Sequence, residues 1–148
     1  MAKKQIQIAI PTDFPPYGFV GTDLKPIGLD VDMAHYIGAK LGVAVELVVV
    51  TSANRIPYLQ TRKADLVIST LGKNAEREKV IDFTAAYSPF FQAVFANKGL
   101  AIKGAADLAG KTVGVTRGAI EDMELTKVAP ASADVKRFED NNATVSAF

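Results

Sequence analysis

The chain has 148 residues, 49% of them hydrophobic and 22% charged, with 17 basic and 16 acidic side chains and a formal net charge of +1. This balance is ordinary for a globular protein and gives no electrostatic reason to expect nucleic acid as a partner. The chain has no cysteine and a single histidine, which excludes disulfides, thiolate catalysis and cysteine-based zinc sites. No apolar run approaches the roughly 20 residues of a membrane span.

The N-terminal sequence leads directly into a strand pattern. It lacks the apolar core of a secretory signal. We therefore expect either a cytoplasmic protein or a mature form whose signal has been removed.

Three strands are predicted in the first half of the sequence. Isoleucines alternate with polar or small residues at 6–10, and short apolar, β-branched runs follow at 43–50 and 66–68. Helical patterns separate these strands. Strand and helix in alternation predict a parallel sheet covered by helices, which is an α/β fold.

The helices of the first half have recognisable ends. We expect Asp30 to cap the first helix with its side chain and Gly42 to end it. Asn54 is expected to cap a helix that runs through Gln60, and residues 75–80 are expected to form a short charged helix.

The loops that follow the three strands are the natural place for a ligand, because parallel sheets bind ligands beyond their carboxyl ends. The first of them, residues 11–21, is predicted to be irregular and carries Asp13, Phe14, Tyr17 and Phe19. Asp13 is a candidate ligand contact, while the aromatic side chains are expected to lie partly in the core.

The second half repeats the pattern on a smaller scale. A strand-like run at 90–97 precedes it, and the repeated pattern itself has strands at 112–115 and 135–138 with a helix at about 120–127 between them. Asn141 or Asn142 is expected to cap a last helix that includes Val145 and Phe148. Two strands and one complete helix cannot bury their apolar faces alone, so we expect further chain beyond residue 148.

Common cofactor motifs are not supported. Gly110-Lys111-Thr112 resembles the end of a phosphate loop, but Ala105 stands where that motif needs its first glycine and a strand follows in place of a helix. We expect no cofactor and no metal site. The run around Arg77, considered alone, is typical of a solvated charged surface.

An ordered set of motifs changes the interpretation. The set comprises FPPYGF at 14–19, PIGLDVDMA at 26–34, IPYLQ at 56–60, ADLVIS at 64–69, ER at 76–77, IDFT at 81–84 and LAGKTVGV at 108–115 with Gly118. In this order and spacing the chain resembles the family-3 solute-binding proteins of amino-acid ABC transporters. The resemblance extends from about residue 5 to 148.

The resemblance implies a type II periplasmic-binding-protein fold, with two α/β lobes that close on an amino acid. Residues 1–93 would form the N-terminal part of lobe one, and residues 94–148 a hinge strand and part of lobe two. Residues 90–97 match the first hinge crossing. The family's carboxylate for the ligand amino group would lie beyond residue 148, so we expect the 148-residue chain to bind amino acids weakly or not at all.

The resemblance also implies a ligand site. Arg77 matches the family arginine that clamps the ligand α-carboxylate, and a guanidinium is well shaped for that task. The other matched positions are the loop residues Ser69, Thr70 and Gly72, the aromatic residues Phe14 and Phe19 with Asp13 beside them, and the turn Gly118, Ala119 and Ile120. Gly72, Ala119 and Ile120 stand where hydroxyl residues are usual, which leaves backbone donors there.

Function and partners follow from the same resemblance. The implied function is binding of a polar L-amino acid for uptake, with a membrane permease as partner and a periplasmic location. The alternatives are an enzyme resembling cyclohexadienyl dehydratase, with Glu121 as its candidate carboxylate, and a ligand-sensing domain of a receptor. Asp13 would favour a basic ligand side chain and Arg55 an acidic one.

An assembly is also expected. Incomplete sheets expose strand edges, and another copy of the chain is the nearest suitable partner. We therefore expect a homodimer or larger assembly with shared or swapped elements.

Overall fold

A computed structural model describes residues 4–148. Its principal sheet, the first sheet, has three parallel strands, in which β1 (Gln5–Ile10) lies between β5 (Ala44–Val49) and β6 (Leu66–Val67). The predicted parallel α/β arrangement is confirmed, and the loops after the three strands therefore meet at one edge.

The central strand β1 is buried on both faces. Ile8 and Ile10 pack with Val31 and Ala34 of the first helix, and Ala9 on the opposite face packs with Ala64. Ile8, Ala9 and Ile10 are all 0% exposed. A strand between two others with helices on both sides has no solvent face.

The first helix, α1 (Leu29–Leu41), ends as predicted at Gly42, which adopts the left-handed conformation with φ 67°. Its start differs from the prediction. Gly28 occupies the N-cap position without a side-chain cap, and Asp30 is fully buried inside the first turn. The prediction that Asp30 caps the helix is wrong, because its carboxylate is turned to partners far along the chain.

The loop after β1 is more ordered than predicted. It contains the short antiparallel strands β2 (Asp13–Phe14) and β3 (Gly18–Val20), and β3 pairs with β4 (Pro26–Ile27). The interpretation of residues 11–21 as irregular was therefore wrong. Proline and glycine content marked the turns but concealed strands of two or three residues.

Two short helices follow β5. The second helix, α2 (Arg55–Gln60), has Asn54 at its N-cap position, yet the Asn54 side chain makes no capping bond. The third, α3 (Ala75–Glu78), is shorter than predicted and begins at Asn74, whose side chain accepts a hydrogen bond from the Arg77 amide.

The second sheet pairs β7 (Thr112–Thr116) with β8 (Asp134–Phe138) in parallel. A single 3-10 turn at Ala105–Leu108 precedes β7, and the helix α4 (Ile120–Val128) connects β7 to β8. The last helix, α5 (Asn141–Ser146), is capped by the Asp140 side chain, which accepts from the amide of Ala143. The predicted caps at Asn141 and Asn142 lie one and two residues too far along, and Phe148 falls outside the helix.

Residues 90–97 form no strand, contrary to the prediction. Phe91 is 92% exposed and Phe95 is 82% exposed, in an irregular segment between α3 and the 3-10 turn. The β-branched and aromatic composition was right for a strand, but none of the described residues pairs with this segment. Strand propensity alone does not make a strand without a partner.

No helix formed by residues 4–148 is long and apolar enough to cross a membrane. The same residues contain no group of three or more histidine, cysteine, aspartate or glutamate side chains that could hold a metal ion.

Candidate functional site

Arg77 lies where the first sheet's carboxyl edge faces the second half of the chain. It is only 4% exposed. One guanidinium nitrogen, Nη1, donates to the Gly72 carbonyl at 2.7 Å, and the other, Nη2, donates to the Gly118 carbonyl at 3.0 Å. The expectation of a surface charge run is therefore wrong for this residue, and its guanidinium bridges the two halves of the chain.

A second buried arginine reaches the same carbonyl. Arg55 is 5% exposed, and its Nη1 donates to the Ser69 carbonyl at 2.9 Å. Its Nη2 donates to the Gly118 carbonyl at 3.4 Å. Two guanidinium groups therefore converge on one backbone oxygen of the turn at Gly118.

The converging arginines create a positive centre. Burial, aided by the positive charge of Arg77, lowers the pKa of Arg55 to about 10. Burial also lowers the pKa of Arg77, while the nearby Glu121 carboxylate raises it. Both groups stay charged at neutral pH, and among residues 4–148 their hydrogen bonds go to backbone carbonyls only. A carboxylate is a stronger acceptor for such a pair than a neutral carbonyl.

The turn at Gly118 depends on glycine for two reasons. Its φ is +74°, in the left-handed region, and a Cβ there would lie 2.8 Å from the Ala53 Cα. The second half of the chain thus approaches the loop after β5 as closely as backbone allows. On the other side, the Gly118 amide donates to the Asp122 carboxylate at 3.2 Å, and Asp122 also accepts from Arg137 at 2.7 Å.

The loop after β6 sits beside these groups. Ser69 is 3% exposed, and the Thr70 amide donates to Asp30 at 3.0 Å. A Cβ at Gly72 would lie 3.1 Å from both the Phe90 ring and the Ile120 Cδ1. The absence of a side chain at Gly72 therefore lets Ile120 approach, and it explains how two of the departures from the family pattern fit together.

The aromatic loop contributes less directly. Phe14 stacks on Tyr17 with ring centroids 5.4 Å apart, and both are half-buried, as is Phe19. Asp13 accepts a hydrogen bond from the Asn141 amide at 2.7 Å. Asp13 therefore ties the first half of the chain to the start of α5.

A cleft of about 230 Å³ borders Arg77 and the turn at Gly118. Its lining includes Ser52, Ala53, Ile56, Leu71, Arg77, Gly118 and Met123. The structure thus brings Arg77, Gly72, Gly118 and Ile120 together. Arg55 connects Ser69 and Thr70 to this group, because it donates to their carbonyls and to that of Gly118. Ala119 is buried beneath the turn, and Asp13 joins the two halves at Asn141.

Sequence reasoning missed three side chains that hold this arrangement. Arg55 was considered only as a possible ligand contact, whereas it binds the backbone of both halves. Asp30 was taken for a helix cap, and Asp122 was not singled out. A signal existed for Arg55, since it is the charged member of a short apolar helix, but nothing local indicated its distant partners.

The sequence matches one protein family over nearly its whole length. A model described as bacterial extracellular solute-binding proteins, family 3, matches residues 6–144. The chain belongs to this family.

Several similar proteins agree with that assignment. The L-arginine-binding protein of Pseudomonas aeruginosa is 30% identical over 139 residues, covering 93% of this chain and 54% of the relative. The solved structure of holo ArgBP from T. maritima is 33% identical with a TM-score of 0.84, covering 97% of this chain and 63% of that one. An ancestral amino-acid-binding protein, described as a precursor of cyclohexadienyl dehydratase, has a TM-score of 0.88 at 29% identity, covering 97% and 64%. The chain spans about half the length of the curated relatives it matches.

Proposed function

We propose that this chain supplies the carboxylate-binding half of a site for a polar L-amino acid, in a solute-binding protein that delivers its ligand to an ABC-transporter permease. The observation that carries the proposal is the convergence of Arg55 and Arg77 on the Gly118 carbonyl. A ligand α-carboxylate would take the place of that carbonyl and accept from Arg77, while the turn at Gly118 moves aside. Relatives named for arginine, cystine and glutamine support an amino acid as ligand.

Two further parts of the proposal rest on family membership. The family is described as extracellular, and we place the protein in the periplasm. Residues 1–93 would act as lobe one, and residues 94–148 as a hinge strand and part of lobe two.

The role of the carboxylate can be tested by chemistry on the ligand. Free L-amino acids and the corresponding α-carboxamides are titrated by calorimetry against a family-length protein that carries this sequence. We expect each amide to bind about 10- to 150-fold more weakly than its free acid, because the charge-assisted bonds to Arg77 are lost. Equal affinity of acid and amide would contradict the proposal.

Binding, and not catalysis, is the function we propose, but one observation favours a second candidate. Glu121 is close enough to Arg55 and Arg77 to act on the pKa of both. A carboxylate in this position is a candidate catalytic group for a dehydratase, and one structural relative is described as a precursor of such an enzyme. Turnover of prephenate or arogenate by a family-length protein, lost in Glu121→Gln, would establish the enzyme.

We also propose that the 148-residue chain self-associates through the segment at residues 90–99. Its apolar side chains Phe91, Val94 and Phe95 are 92%, 58% and 82% exposed. Contiguous exposed apolar surface of this kind seeks a partner, and a second copy can exchange identical elements.

Light scattering coupled to size exclusion measures this self-association. We expect a dimer or larger species that dissociates in the double substitution Phe91→Ser and Phe95→Ser. Leu24→Ser is the matched control, since Leu24 is 84% exposed in the turn between β3 and β4. A compact monomer at every accessible concentration would reject the dimer.

A further inference from the structure

Asp30 is a buried carboxylate that the proposed ligand contacts do not use. It is 0% exposed at the second position of α1. One oxygen, Oδ2, accepts from the Thr70 amide at 3.0 Å, and the other, Oδ1, accepts from the Tyr87 hydroxyl at 2.8 Å. The two donors lie 40 and 57 residues further along the chain.

Thr70 needs support of this kind. Its φ is +44°, in the left-handed region that a β-branched residue rarely adopts. The Thr70 amide is held by Asp30, and the Thr70 carbonyl accepts from Arg55 at 3.3 Å. The loop is therefore clamped from both sides at a residue whose backbone is strained, and such strain persists only where surrounding contacts over-determine it.

A charged group at this depth is costly to the fold. Burial raises the pKa of Asp30, while the hydrogen bonds from Tyr87 and Thr70 and the positive charge of Arg55 lower it. Tyr87, Thr70 and Arg55 are the groups that act on the carboxylate, and the Asp30 backbone amide donates separately to the Tyr17 carbonyl at 2.8 Å. A neutral side chain would avoid the cost of desolvation, so the contacts made by Asp30 have to offset it.

We infer that Asp30 is a positioning residue, which fixes the backbone of Thr70 and so presents the loop of residues 69–72 to the ligand. Through Ser69, Thr70 and Gly72, that loop connects to both buried arginines. Loss of Asp30 would release the Thr70 amide and let the loop relax from its strained conformation. The consequence for binding rests on the proposed function, whereas the consequence for the loop does not.

Hydrogen exchange at the Thr70 amide, measured by NMR, tests the inference directly. In Asp30→Ala we expect this amide to exchange about 10- to 150-fold faster, because it loses a bond to a charged acceptor. Asp30→Asn should restore protection, since its amide oxygen can accept from Thr70 and its amide nitrogen can donate to Tyr87. Asp32→Asn is the matched control, as Asp32 is an exposed carboxylate in the same helical turn.

A pH titration covers the case in which Asp30→Ala does not fold. The chemical shift of the Thr70 amide proton should change as Asp30 is protonated in the wild-type chain. The same titration of Asp30→Asn should show no such step. Because burial raises the pKa in the folded state, stability should fall as pH rises from the ordinary aspartate range through the raised value. That slope should also vanish in Asp30→Asn.

The affinity arm uses L-arginine and L-glutamate as probes of a family-length protein. Asp30→Ala should weaken the better-binding probe about tenfold or more, and Asp30→Asn should recover most of the affinity. If neither probe binds the wild type, the proposed ligand class is in doubt, while the Thr70 amide still decides the role of Asp30. Unchanged exchange at Thr70 in a folded Asp30→Ala chain, or an Asp30→Asn chain as impaired as Asp30→Ala, would overturn the inference.

Discussion

Replacing Arg77 by alanine should weaken amino-acid binding about 10- to 150-fold. This is the change in dissociation constant expected when a charge-assisted hydrogen bond to a carboxylate is lost. The measurement is calorimetry on a family-length protein that carries this sequence. The effect should be large because Arg77 is 4% exposed, so its guanidinium is already desolvated and aimed at the Gly118 carbonyl. Little further cost is then incurred when a ligand replaces that carbonyl.

Lys73→Ala is the control for Arg77→Ala. Lys73 is an exposed cation four residues earlier, paired with Glu78 at 2.8 Å. An exposed pair of this kind contributes little, so affinity should stay within about twofold of the wild type. Equal and small effects of the two substitutions would remove Arg77 from the site.

The second large effect is expected on stability, from Gly118→Ala. An alanine in the left-handed region costs about 1–2 kcal/mol. A Cβ at this position would also lie 2.8 Å from the Ala53 Cα, which is backbone and cannot yield as a side chain can. Overpacking of this kind typically costs about 1–3 kcal/mol more, so denaturant unfolding should show a combined loss of roughly 2–5 kcal/mol.

Gly110→Ala separates the two contributions. Gly110 has φ 68°, close to the +74° of Gly118, but no atom lies within 4 Å of the Cβ it would gain. Gly110→Ala should therefore show the conformational cost alone. If both substitutions destabilise equally, the close approach of the turn at Gly118 to Ala53 does not contribute to stability.

Much of the architecture was predictable because it is local. The alternating isoleucines of β1, the β-branched run of β5 and the stop at Gly42 depend on neighbours within a few residues, and each prediction is confirmed. The periodicity of apolar residues, and the residues that start or end helices, indicate which backbone conformation a segment prefers. The parallel sheet then follows from the alternation of strand and helix.

The site was predictable to a smaller extent. The rule for parallel sheets led to the loops after the strands, and the motifs led to Arg77. The structure brings Arg77, Gly72 and Gly118 together, while their role toward a ligand stays a prediction. Arg77 was assigned to the site because of its position in the ordered motifs. Its neighbours Glu76 and Glu78 gave no such indication, since charges of this kind are typical of an exposed helix.

Some elements failed for an equally physical reason. Residues 90–97 have the composition of a strand, yet a strand needs backbone donors and acceptors from another segment, and none of the described residues supplies them. The short strands β2 and β3 show the reverse. Each is too brief to carry a periodic pattern, and pairing with the other makes it a strand.

The sequence by itself determined the family, the parallel sheet and the edge at which its loops meet, because those depend on local pattern and order along the chain. Only the tertiary structure decided that Asp30 is buried against Thr70, and that Arg55 and Arg77 meet at Gly118. These contacts join residues 40 to 63 positions apart. A carboxylate or guanidinium looks the same in sequence whether it is solvated or buried, and the cost of desolvation arises only once distant segments close around it.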